Sequence, residues 1–231
     1  MNLVFIHGAG STAEVFTEQT GGALAGALAF SLPGHTVPGA PASIEEFADA
    51  VDAELDARDL DDVILCGHSM GGAIALELAL RSAPRLRAVA LIGSGARLRV
   101  APAVFDALQA DFETATREIA RNFYADPTPE RLDVAAKMMH AVGKAQTLRD
   151  FAACNAFDRL ARLEEVSLPL LAITGESDVM TPPKFALALA DRIPGAQARI
   201  VPGAGHAAMT ERPADVNDAL RAFVIQVASS N

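Results

Sequence analysis

A serine between glycines, five histidines and a loop with several carboxylates are the residues of this 231-residue chain whose types and spacing could do chemistry. The densest group lies in DVILCGHSMGGAIALELAL, where Gly67-His68-Ser69-Met70-Gly71 separates an apolar run from a helical pattern. A serine in the spacing G-x-S-x-G between strand and helix has a definite use. A tight, strained turn lifts its hydroxyl clear of the sheet's carboxyl edge, and Gly67 and Gly71 leave room for neighbouring backbone. The helix behind it aims free N–H groups and the positive end of its dipole at the same place, which assigns the Met70 N–H to a developing oxyanion.

A serine hydroxyl is a poor nucleophile without a base. His68 shares the turn with Ser69, so its side chain is expected to point away and pack structurally. His7 and His35 sit in turns near the same edge, and His140 lies beside Met138-Met139 in a helical region. His206 stands apart: in RIVPGAGHAAMTERP it follows the last apolar run on a glycine-rich turn before the final helix. It is the expected base. An acid must then orient that imidazole and stabilise its cation. Asp178 follows the run 170–174 in LPLLAITGESDVMTPP, with Glu176 as a neighbouring alternative and Asp191 too deep in a helix. After the preceding run come Gly93-Ser94-Gly95, with no carboxylate, which favours Asp178. Ser69, Asp178, His206 is also the chain order expected of a triad on this topology.

The opening LVFIHGAGSTA raises a competing use. Gly8-x-Gly10-x-x-Ala13 is the spacing that cradles a pyrophosphate at a helix N-terminus. That use needs an acid about 20 residues on, at the end of the second strand, to hold the ribose hydroxyls. The residues there are Ala29-Phe30-Ser31-Leu32-Pro33. The same glycines serve better as a loop that turns a backbone N–H toward an oxyanion. No cofactor is expected. Nor is a metal: there is no H-x-x-x-H pair, and Cys66 and Cys154 are isolated.

The elements that must position these groups are legible as apolar runs at 3–6, 28–32, 63–66, 88–92, 170–174 and 198–201, several of them apolar throughout. That pattern suits parallel strands covered on both faces. Helical patterns cover 43–58, opened by a Ser43/Glu46 capping box, then 71–82, 183–192 and 213–227. Strand and helix in alternation predict an α/β sheet with right-handed crossovers. The rhythm breaks at 97–165, which holds Phe105, Phe112, Phe123, Phe151, Phe157 and the single tyrosine, Tyr124. A helical, aromatic insertion between strands is the expected lid, dividing the chain into a core of 1–96 and 166–231 and a cap of 97–165. The tail at 229–231 is expected to fray.

Composition narrows the partners. With 51% apolar residues the chain can bury a full core, and a net charge of −10 disfavours nucleic acid and anionic membranes. No apolar stretch approaches the length of a membrane span, and no basic leader precedes the first strand. Two thiols make no disulfide framework, so a reducing, cytoplasmic setting is expected. The expected partner is a small-molecule ester, and a homodimer is compatible with this.

The motifs HG at 7–8, LPGH at 32–35, GHSMGG at 67–72, TGESDVMTPP at 174–183 and PGAGHAAMTERP at 202–213 resemble those of the α/β-hydrolase superfamily. Within it the chain is most similar to small bacterial carboxylesterases and ring-cleavage-type hydrolases with a helical cap. The resemblance implies a triad of Ser69, Asp178 and His206, with the Ala9 N–H joining Met70 in the oxyanion hole and Gly10 in reserve. It also implies a six-stranded, all-parallel sheet, the family's first two strands being absent. Two departures stand out: the chain starts on the strand before HG, and PGHG reads PGHT with Thr36. The activity implied is hydrolysis of small uncharged carboxylic esters through an acyl-enzyme. The same triad also serves lactones, thioesters, carbon–carbon bonds of diketo acids, or a ligand-binding receptor with a vestigial triad. Arg97, Arg99 and Arg159 would be the groups to hold a diketo acid's carboxylate.

Overall fold

A computed structural model describes all residues except 25, 37, 38, 40, 230 and 231; the fraying expected of Ser230 and Asn231 lies outside the described residues. Strand β1 (Asn2–Ile6) leads through a 3-10 turn (Ala13–Phe16) and the short helix α1 (Thr17–Thr20) to β2 (Leu28–Phe30). β2 is shorter than its apolar run because the Leu32 N–H leaves the ladder for His7 Nε2, 2.9 Å away. Helix α2 (Ile44–Ala57) starts where Ser43 accepts the Glu46 N–H at 3.2 Å, while Glu46 reaches back to the Ala42 N–H at 2.7 Å. Then follow β3 (Val63–His68), α3 (Met70–Leu80) and β4 (Leu86–Ile92).

Between β4 and the next strand lie four helices, α4 (Pro102–Ala110), α5 (Phe112–Arg121), α6 (Pro129–Val142) and α7 (Lys144–Ala156). The pattern resumes with β5 (Leu170–Gly175), α8 (Pro183–Arg192), β6 (Gln197–Val201), α9 (Ala208–Glu211) and α10 (Pro213–Ser229). One six-stranded sheet results, ordered β2-β1-β3-β4-β5-β6 and parallel throughout. Successive side chains divide between its faces. Val4, Ile6, Leu65, Val89 and Leu91 pack with α2 and α3, whereas Phe5, Ile64, Ala90 and Ile173 pack with Phe16 and α10. Both faces are covered, which is why the strands read as unbroken apolar runs. The strand order reverses between β1 and β3, and a crevice opens outside the carboxyl ends at such a switch point.

Helix α3 is buried along its whole length, Glu77 included. A carboxylate there needs partners. It has two, Arg81 Nε at 2.9 Å and Arg159 Nε at 2.7 Å, and Arg159 also reaches Glu45. Arg97 and Arg99 each stand 3.7 Å from Asp158. The three arginines weighed as carboxylate binders are thus committed to carboxylates of the chain itself. The four inserted helices bury a cluster of their own around Leu108, Ile119, Leu132, Met139 and Phe151, and Cys154 and Phe157 join the main core instead. Among the described residues, no helix is long and apolar enough to cross a membrane.

Candidate active site

Ser69 stands between β3 and α3 with φ +52° and ψ −113°, a conformation rarely adopted by a residue with a side chain. Such strain costs of the order of 1–3 kcal/mol and persists where the surroundings over-determine it. Here they do. The Ser69 N–H donates to the Ile92 carbonyl at 2.9 Å, and Ser94 Oγ donates to the Ser69 carbonyl at 2.8 Å. The flanking glycines have no room for a side chain: a Cβ on Gly67 would overlap the Gly71 carbonyl, and one on Gly71 the Ile6 carbonyl. The Met70 side chain packs in the core, and its N–H is the first of a helix, with no acceptor inside it.

His206 and Asp178 come together from the loops after β6 and β5. His206 Nδ1 lies 2.9 Å from Asp178 Oδ2, with both side chains buried. Asp178 Oδ1 accepts the N–H groups of Met180 and Thr181 at 2.9 and 2.8 Å. Thr181 Oγ1 donates to Oδ2 at 2.7 Å and stands 3.1 Å from His206 Nδ1. Burial works to raise the Asp178 pKa, but the neighbouring His206 and the Thr181 hydrogen bonds prevail and hold it below the usual carboxylate range. Glu176, the alternative acid, is exposed and accepts the Gly203 N–H instead.

Ser69 and His206 line one cavity of about 340 Å³ with Gly8, Ala9, Gly10 and His68. Phe123, Tyr124, Met138 and Phe151 of the inserted segment form its apolar wall, and Glu14, Glu18 and Glu130 stand at exposed positions along it. Gly8 touches the serine so closely that a Cβ on it would come within 3.0 Å of Ser69 Cβ. Of the two oxyanion donors weighed on the β1 loop, the Gly10 N–H is already given to Asp150 Oδ2 at 2.9 Å. Among the described residues, the Ala9 N–H meets no acceptor.

His7 braces this loop from below. The Leu32 N–H donates to its Nε2, so Nδ1 carries the proton and donates to the Gly8 carbonyl at 2.9 Å. His68 packs structurally, as expected, but its ring is turned toward the cavity and not away from it. It lies against His206, ring centroids 4.8 Å apart, and its Nε2 donates to the His206 carbonyl at 3.2 Å. The turn that raises Ser69 leaves that neighbouring direction to the preceding side chain. Thr181 and Glu211 lie within the motifs at 174–183 and 202–213, but their roles are not read from those motifs, and Asp150 lies in none. Glu211 accepts the N–H groups of Gly205, Ala125 and Asp126 at 2.6, 3.1 and 3.1 Å, joining the His206 loop to the segment after α5.

Burial, with the charges of His35 and His206 adding to it respectively, pushes His7 and His68 down to about 3. Between that value and the ordinary 6.5, the unfolded chain binds protons at both residues that the folded chain refuses. Their contribution is therefore complete above pH 6.5 and is lost as the pH falls toward 3. Together they make stability rise with pH across this window. Urea unfolding from pH 4 to 7, run beside His7→Gln and His68→Gln, reads the rise these two residues contribute.

Comparison with known proteins agrees with this architecture. A pimeloyl-[acyl-carrier protein] methyl ester esterase of Neisseria meningitidis is 30% identical over 198 residues, 78% of this chain and 75% of that one. The structure of a thermophilic esterase superposes with a TM-score of 0.88 at 30% identity, covering 97% of this chain and 90% of that one. An N-acyl homoserine lactone degrading enzyme superposes with a TM-score of 0.86 at 28% identity, covering 96% and 93%. A model described as the alpha/beta hydrolase family matches residues 3–219. With its parallel six-stranded sheet and its serine turn at the switch point, the chain belongs to the alpha/beta hydrolase family.

Proposed function

We propose that this hydrolase is a serine carboxylesterase acting on small uncharged esters through an acyl-enzyme. The observation that carries the reading is that Ser69, on its strained turn, and the Asp178-backed His206 face one apolar-walled cavity. Ser69 Oγ attacks the acyl carbon while His206 Nε2 takes its proton. Asp178 holds the Nδ1 proton and stabilises the cation, and the N–H groups of Ala9 and Met70 receive the oxyanion. His206 then protonates the departing alcohol. A water, activated by the same imidazole, cleaves the acyl-enzyme and restores Ser69. The segment 97–165 serves as the lid, and the cytoplasm is the setting that two buried thiols suit.

The test is a chain-length series of p-nitrophenyl acyl esters, with one lactone and one CoA thioester, run beside Ser69→Ala. Acetate or butyrate turnover that vanishes with Ser69 supports the reading; no Ser69-dependent turnover of any acyl ester defeats it. Carbon–carbon hydrolysis of diketo acids loses its support, because Arg97, Arg99 and Arg159 are paired elsewhere and none lines the cavity. Among the described residues, the one arginine lining the wall is Arg131, which stands 3.5 Å from Glu211. With Glu14, Glu18 and Glu130 beside it, an ester bearing a carboxylate is expected to show a kcat/KM about tenfold below that of its neutral isostere. The gap should narrow as salt is raised from 0.01 to 1 M, since exposed charges are screened over ~3 Å at the higher value. Equal kcat/KM for the pair at low salt would refute this.

A further inference from the structure

Helix α7 carries a carboxylate that the proposed mechanism does not use. Asp150 has no solvent exposure. Its Oδ2 accepts the Gly10 N–H and faces His35 Nε2, each at 2.9 Å, and its Oδ1 accepts Gln146 Nε2 at 2.7 Å. Arg149, next to it in sequence, is occupied with the Gln146 side-chain oxygen at 2.8 Å. Burying a carboxylate is costly unless its lone pairs are met, so this group holds its donors firmly in place. One of those donors is the backbone of the β1 loop, 140 residues away in sequence.

The consequence falls on the peptide before it. A peptide unit is planar, so fixing the Gly10 N–H toward α7 also fixes the Ala9 carbonyl on its opposite side. Gly10 has φ +61°, and a Cβ there would stand 2.7 Å from Met139 Cγ on α6, so the loop is closed in by the same inserted helices. Below, His7 holds the Gly8 carbonyl. The Ala9 N–H belongs to the peptide whose Gly8 carbonyl His7 holds, so both peptide planes beside Ala9 are pinned, and among the described residues its N–H, at a residue lining the cavity, meets no acceptor.

We propose that Asp150 is a positioning residue for the oxyanion loop. By taking the Gly10 N–H from α7 it leaves the Ala9 N–H turned toward the site of attack, so the oxyanion hole is complete only while the inserted segment is docked. This rests on the esterase reading above, and it adds a regulatory feature to the same site: lid docking and transition-state stabilisation share one hydrogen bond. An insertion that lifts away would release Gly10 and weaken the hole without touching Ser69, Asp178 or His206.

The test compares Asp150→Ala and Asp150→Asn in the full chain, using p-nitrophenyl butyrate kinetics and the inhibition constant of a boronic acid, whose tetrahedral adduct on Ser69 occupies the hole. Asp150→Ala is expected to lower kcat roughly hundredfold, the loss typical of one missing oxyanion donor, with KM changed less than about twofold. The boronate should weaken in proportion to kcat. Asp150→Asn keeps an oxygen for Gly10 and should recover at least about a tenth of wild-type kcat. An unchanged kcat, a loss confined to KM, or equal losses in the two variants would overturn the proposal.

Amide exchange on the wild-type chain gives a reading that needs no variant to fold. The Gly10 N–H should be strongly protected, and the Ala9 N–H should exchange fast until the boronate binds. Exchange of Gly10 as fast as Ala9 would overturn the latch. A wild-type chain without Ser69-dependent turnover would instead defeat the esterase reading, and would be seen before any Asp150 variant is made.

Discussion

Ser69→Ala is expected to reduce kcat on p-nitrophenyl butyrate by on the order of a millionfold, with KM little changed. The size follows from what the substitution leaves behind. His206 keeps Asp178 and the cavity keeps its apolar wall, so binding survives while the covalent route disappears. Residual catalysis over water, from the oxyanion donors and binding alone, typically amounts to 10³–10⁴-fold. The fold should tolerate the change, since the turn is held by Ser69's own backbone, its N–H donating to the Ile92 carbonyl and its carbonyl accepting the Ser94 hydroxyl, and not by the Ser69 hydroxyl. Alanine at φ +52° is as strained as serine there, so the unfolding midpoint should move little. A folded Ser69→Ala protein retaining more than about one part in a thousand of kcat would place the nucleophile elsewhere.

The second large effect is expected at Asp178→Asn, about 10⁴-fold in kcat. Its cause can be read from the hydrogen bonds. Oδ1 receives the backbone N–H groups of Met180 and Thr181, so that position must remain an acceptor. The amide nitrogen of the asparagine is therefore forced into the place of Oδ2, against His206 Nδ1. A donor there makes Nδ1 an acceptor and moves the imidazole proton to Nε2, the atom that must take the serine proton. The geometry survives and the tautomer is wrong. Steady-state kinetics of a folded Asp178→Asn variant decide the point; a loss smaller than about tenfold would show that another carboxylate orients the base.

The sheet could be read from the sequence because burial on both faces leaves continuous apolar runs, and the structure extends most of them by a residue or two. β2 is the exception. Its end is set by a hydrogen bond to His7, and no apolar pattern records that. The spacing around Ser69 was equally readable, since the steric demand on Gly67 and Gly71 is local. The packing of His68 was readable, but its direction was not. Its direction depends on the room left by His206, 138 residues further on. The choice between Ala9 and Gly10 was open for the same kind of reason, since it turns on a carboxylate from α7. Thr181 lies three residues past Asp178, close enough to have been suspected, whereas Asp150 and Glu211 act across the chain and leave no periodic trace.

The buried Glu77 on the helix behind Ser69 bears on how these enzymes can be rebuilt. One of its two arginine partners, Arg159, lies just past α7, so exchanging the entire segment 97–165 with that of a relative would remove it. Among the described residues, the buried carboxylate would then be left with Arg81 as its one remaining cation, at a cost in stability. The same exchange would take Asp150 from Gly10. Chimeras made to alter substrate choice should therefore join within residues 102–142, leaving α7 and Arg159 with the parent. Such an exchange would replace Phe123, Tyr124 and Met138 of the cavity wall while keeping Phe151, the Asp150 bond to Gly10 and the Arg159 pair with Glu77.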